Sequence, residues 1–164
     1  MIKSAFNWGL LLILFVAGLN ACSKKPDVEY TATYKMSGEW FTRYYETGNA
    51  TPVSATYRKI LTYNTSDPSS NQIWVADTLF WPFRSKFDVD YPNMTFKPVT
   101  STPNLSEPGQ TIKVYEGKVL PNMGHSKSGN IVDSIYLKVE FSDDAGTLYE
   151  IRGHYRTGFQ EDDY

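Results

Sequence analysis

Ser126, flanked by His125 and placed in Gly124-His-Ser-Lys-Ser-Gly129, is the strongest nucleophile candidate in the chain. A serine hydrolase elbow needs Gly-x-Ser-x-Gly at a strand-to-helix turn, and here the second glycine arrives one place late. Side chains adjacent in sequence rarely face each other, and a triad draws its members from separate segments. His125 and Ser126 therefore read as a Gly/Ser loop with a solvated histidine, and His154 as a structural or surface residue. Two histidines lack the spacing of a zinc site, so no metal or other cofactor is expected. Asp143-Asp144 and Glu161-Asp162-Asp163 read as solvated charge, with weak calcium binding as the lesser reading. No residue is assigned a catalytic role.

The only cysteine, Cys22, has a more definite use. Lys3 precedes an apolar run from Trp8 to Leu19, which as a helix would reach ~18 Å against the ~30 Å hydrocarbon core. That length suits a signal peptide better than a membrane span. The run ends in Leu19-Asn-Ala-Cys22, which resembles the lipobox of bacterial lipoproteins. By that resemblance residues 1–21 are a lipoprotein signal peptide, Cys22 is lipidated, and residues 22–33 form a tether. The implied location is the outer membrane, on its periplasmic side or at the cell surface. More than one acyl chain is needed for stable anchoring, which a di- or triacylated cysteine satisfies.

The chain has 164 residues with 16 Lys+Arg against 18 Asp+Glu, so nucleic acid is not an expected partner. At 41% hydrophobic and 15% aromatic it is too apolar for a disordered chain. After Thr33, short β-branched and aromatic runs alternate with Pro, Gly, Asn, Asp and Ser clusters. Strands are predicted near 38–46, 56–63, 71–81, 84–90, 93–99, 111–120, 131–142 and 147–157, with loops at 65–70 and 100–109. Ile131 to Phe141 alternates apolar with polar, and Ser142 to Thr147 reads as a hairpin turn with Gly146 at positive φ. The expected fold is all-β: a single antiparallel up-and-down barrel of about eight strands over residues 34–164, with a sandwich as the alternative.

Gly38-Glu-Trp40 at the first strand resembles the Gly-x-Trp of the lipocalins and wider calycins. The resemblance implies barrel closure by Gly38, Trp40 and a late arginine, Arg152 or Arg156, near the indole. Lys35 to Phe41, Ser126 to Asn130 and Gly153 to Asp162 together are similar to the lipid-binding putative hydrolase family, lipoproteins of Bacteroidetes with a calycin-like barrel. That resemblance implies a lipid or other hydrophobic small molecule bound in a barrel cavity. The candidate lining is Trp40, Tyr44, Trp74, Phe80, Tyr115, Tyr136, Tyr149 and Tyr155. A hydrolase of a lipid-like substrate, or an accessory protein binding a glycan or protein partner through exposed aromatics, stand as alternatives. No particular protein partner is indicated.

Overall fold

A computed structural model describes residues 29–67 and 70–164. The expected signal peptide and Cys22 lie outside those residues. Alternating inward and outward side chains generate nine strands among the described residues: β1 Gly38–Glu46, β2 Arg58–Asn64, β3 Gln72–Asp77, β4 Phe83–Asp90, β5 Thr95–Phe96, β6 Val99–Pro103, β7 Thr111–His125, β8 Ile131–Phe141 and β9 Tyr149–Tyr155. The alternation is plainest in β4, where Phe83, Ser85, Phe87 and Val89 are buried while Arg84, Lys86 and Asp88 are exposed.

Every strand pair is antiparallel, most join strands adjacent in sequence, and β1 pairs with β2 on one side and β9 on the other. The β5–β7 pairing at Thr95 and Lys118 closes the ring, giving an eight-strand barrel with β6 running beside β7. Closure removes the free sheet edges that an open sheet would leave. The up-and-down arrangement agrees with a calycin-like barrel.

Large side chains fill the interior. Trp40, Tyr44, Phe83, Phe87 and Phe141 are all below 3% exposed and belong to one cluster with Ile60, Ile73, Leu137 and Ile151. At one end the Trp40 indole donates to Thr62 Oγ1 at 2.8 Å, and that hydroxyl donates to the Met36 carbonyl at 2.6 Å. Tyr155 packs edge-on against Trp40, with ring centroids 5.2 Å apart. It also lies where a Cβ on Gly38 would fall, so a larger residue there would displace the ring.

Barrel closure is therefore made differently from the expectation. The β1–β9 register sets Trp40 opposite Tyr155, so Arg152 and Arg156 fall on the alternate, outward face. Arg152 lies over Tyr45 at 4.8 Å and pairs with Glu150. Arg156 lies over Phe41 at 5.9 Å and pairs with Glu39 and Asp163.

At the other end the chain turns on a buried carboxylate. Asp77, fully buried, accepts the Tyr44 hydroxyl at 2.7 Å and the backbone N–H groups of Leu79 and Phe80 at 2.7 and 3.0 Å. Burial, then the adjacent carboxylate, push the Tyr44 phenol well above its usual range. This side-chain capture of the backbone ends β3 at Asp77, four residues before the expected limit. Phe80 then packs on Tyr44 at 4.9 Å, and Trp81 stacks on Phe141 at 4.5 Å.

Two further strands differ from expectation. The strand expected at 93–99 is split into β5 and β6, and β6 occupies the start of the segment read as a loop. β7 also runs past Pro121 to His125, accommodating the proline with a register shift and Asn122 at φ 58°.

Candidate functional site

The barrel wall has a seam. No backbone ladder joins β4 to β6 among the described residues; β6 pairs with β7 alone. Backbone bonds flank the gap, Lys97 N–H to the Asp88 carbonyl at 2.8 Å and Leu105 N–H to the Arg84 carbonyl at 2.9 Å. Between them side chains bridge it: Thr102 Oγ1 donates to the Lys86 carbonyl at 3.1 Å, and Ser85 Oγ to the Pro103 carbonyl at 2.8 Å. Pro98 and Pro103 explain part of this, because neither has an N–H to give a ladder. Polar Thr and Ser between them supply no inward apolar run to pull β6 onto β4.

Two clefts lie along the seam, and a third opens beside it between β6 and β7. The first, of 230 Å³, is lined by Trp74, Lys86, Thr102, Pro103 and Leu105. The second, of 240 Å³, shares Lys86 and Thr102 with it and adds Phe87, Asp88, Lys97 and Pro98. The third, of 420 Å³, shares Pro98 and Val99 with the second and is completed by Thr100, Lys113, Val114 and Tyr115. Those shared residues set the three clefts side by side as one segmented groove. Its floor reaches the core, since Phe87 and Val114 belong to the buried cluster and Val99 packs against it.

The groove's charge is lopsided. Lys86, Lys97 and Lys113 line it, against one lining carboxylate, Asp88, which accepts Gln72 Nε2 at 2.8 Å. Lys113 is paired with Glu140 at 2.8 Å. Lys86 and Lys97 have no carboxylate partner among the described residues; Lys86 lies 5.0 Å from the Trp74 ring centre, with Arg84 at 5.5 Å from the same ring. Trp74 thus stands at one end of the groove held by two cations.

Tyr115 stands at the other end, oriented by Glu140. This carboxylate, 7% exposed, accepts the Lys113 ammonium, the Tyr115 hydroxyl and the Gly146 N–H. Those three donors, Lys113 first, hold its pKa down at about 2, from an ordinary 4.5. A carboxylate lowered on folding stabilises the protein fully above pH 4.5 and loses that contribution as pH falls through 2. Glu140→Gln is therefore expected to flatten the decline of the urea midpoint between about pH 5 and pH 2. An unchanged decline would show that Glu140 carries none of it.

The eight aromatics proposed as a single lining fall into separate places. Trp40, Tyr44 and Tyr149 are buried in the interior cluster. Phe80 and Tyr155 cover its two ends. Trp74, Tyr115 and Tyr136 lie on the outer face, where Lys118 stands over the Tyr136 ring at 5.4 Å. Only Trp74 and Tyr115 meet along one groove. Sequence reasoning passed over Lys86, Lys97, Val99 and Val114; Lys86 alternates with Arg84 and Asp88 on one strand face and reads as solvated charge, whereas Lys97, beside Phe96 with no acid near it, was the available signal.

The residues weighed for catalysis lie in three different settings. Ser126 Oγ accepts the Asn130 N–H at 3.1 Å and lies 3.2 Å from Ser128 Oγ, while His125 is exposed. His154 is buried under Phe41, Tyr57 and Tyr164, and burial lowers its pKa. The acidic clusters serve the chain's own donors: Asp144 accepts the Tyr149 hydroxyl, Asp143 the Trp81 indole, and Asp162 the Ser128 N–H and Thr157 hydroxyl. A separate cleft of 280 Å³ between Tyr57, Arg58 and Tyr164 contains Arg156, whose charge is already met by Glu39 and Asp163.

Compared with known proteins, the chain matches the family described as lipid-binding putative hydrolase over residues 25–160. No curated protein matches it. The matched span takes in every strand of the barrel and the groove along its seam, and on that match the chain belongs to the lipid-binding putative hydrolase family.

Proposed function

We propose that this protein is a lipoprotein, anchored in the outer membrane through Cys22, that binds a lipid or similar hydrophobic small molecule. Membership of a lipid-binding family and a barrel fold support lipid binding in general. We assign the apolar tail to the 420 Å³ cleft over Val99 and Val114, the part of the groove that combines apolar walls with a lysine and a tyrosine at its rim. The observation that carries this assignment is the irregular β6–β7 pairing. Where the register shifts between Val99 and Thr102 the cleft opens beside Val99 and Val114, so a tail can lie against core side chains without displacing Trp40, Tyr44 or Phe83 from the filled interior. Small-molecule sites of this kind are mostly apolar with a few placed polar groups.

The test is titration of the purified full chain with a fluorescent fatty-acyl probe, alongside native mass spectrometry and lipid extraction. Thr100 is exposed and lines the cleft, so Thr100→Trp fills it from outside the core. The variant is expected to bind the probe at least tenfold more weakly, with an unchanged circular dichroism spectrum. Undiminished binding would move the ligand elsewhere on the barrel, and a chain that neither carries lipid nor takes up the probe would overturn the reading. Labelling of Cys22 by an alkyne fatty acid in the producing cell tests the anchor.

A further inference from the structure

We infer that the groove selects acidic single-chain amphiphiles, with the anionic head placed between Lys86 and Lys97. This rests on the groove as the lipid site and adds the chemistry of the head. The second cleft adjoins the tail site, with Pro98 and Val99 lining both, so a head group at the end of a tail over Val99 and Val114 falls within its reach. That cleft presents Lys86 and Lys97, both exposed and neither paired with a carboxylate among the described residues. Its own carboxylate, Asp88, is turned to Gln72 through a 2.8 Å hydrogen bond. Lys113, by contrast, is neutralised by Glu140 beside the tail, where a net charge would oppose burial of a methylene chain.

The arrangement thus separates an apolar cleft whose charges cancel from an adjoining polar cleft with excess positive charge. A neutral glyceride would gain from the first alone. A fatty acid or a lysophosphatidate would gain from both, since an ionised acceptor makes the stronger hydrogen bonds with an ammonium. Exposure tempers the gain, because solvent and salt screen the pair. A preference of about tenfold is expected, and it should shrink as salt is raised.

The experiment is displacement of a neutral fluorescent monoacylglycerol from the full chain by three ligands with the same sixteen-carbon tail: palmitate, lysophosphatidate and monopalmitoylglycerol. The expected result is that at least one acid displaces the probe at about a tenth of the neutral ligand's concentration. Which acid is stronger identifies the head as carboxylate or phosphate. In Lys86→Gln/Lys97→Gln the acids should fall to the level of the neutral ligand, whose own affinity stays unchanged. Equal affinities in the wild-type chain, or a preference that survives in the double variant, would overturn the head-group assignment while leaving the tail site standing. Loss of probe binding altogether would instead be the failure of the groove as a lipid site.

Discussion

Trp40→Ala is expected to lower the free energy of unfolding by about 3–5 kcal/mol, a large share of the total for a domain of this size. Three losses coincide. The indole is completely buried, so its removal leaves a cavity bounded by strands whose hydrogen-bonded ring resists collapse. Tyr155 loses the ring it packs against at the end of the barrel. Thr62 loses a donor, though its own bond to the Met36 carbonyl remains. Trp40→Phe keeps most of the volume and should forfeit roughly 1–2 kcal/mol. Urea denaturation of both variants makes the comparison. A loss below about 1 kcal/mol in the alanine variant would mean that Tyr155 and Met36 close over the space, contradicting a floor built on this residue.

The second large effect is expected at Asp77. Replacing it by alanine removes the acceptor that now satisfies the Tyr44 hydroxyl and two backbone N–H groups. Each buried unsatisfied donor costs about 1–3 kcal/mol, partly offset because a desolvated charge is removed at the same time. The net expectation is a loss of about 2–4 kcal/mol for Asp77→Ala, read from urea denaturation. Asp77→Asn, which retains one oxygen for the turn, should lose roughly half as much. Tyr44→Phe leaves the carboxylate its backbone donors and should stay near about 1 kcal/mol. Equal losses in all three variants would place the stabilisation in the tyrosine contact rather than in the turn.

The hairpin from Ile131 to Tyr155 could be read directly from residue types, because a period-two alternation around a polar turn leaves few other folds for the segment. The ring order could be inferred from the succession of short strands. β6 could not, since Val-Thr-Ser-Thr-Pro carries the composition of a loop and is held in place by hydrogen bonds to β4 and by pairing with β7. The end of β3 was hidden for another reason: Asp77 looks like any strand-terminal acid until its carboxylate is seen to bind the following turn.

Parity limited the site in the same way. Trp40 and Trp74 are the same residue type in similar apolar surroundings, yet register turns one into the interior and the other out to Arg84 and Lys86. Trp74 and Tyr115 were identifiable as candidates, but their alignment along one groove depends on the distance between β4 and β6, which local sequence does not encode.

The seam also bears on strand-to-strand self-association. A strand edge without a full ladder can template the addition of a strand from another chain, and a barrel normally escapes that hazard by leaving no such edge. Here β6 reintroduces one within a closed ring. Pro98 and Pro103 lack an N–H, and the Lys97 and Leu105 N–H groups beside them are already given to the Asp88 and Arg84 carbonyls, so a foreign strand approaching this edge would find few free donors. Lys86 and Lys97 beside it would place positive charge against any second copy docking in the same way. The prolines and lysines that border the proposed lipid groove thus also disfavour amyloid-like pairing at this strand.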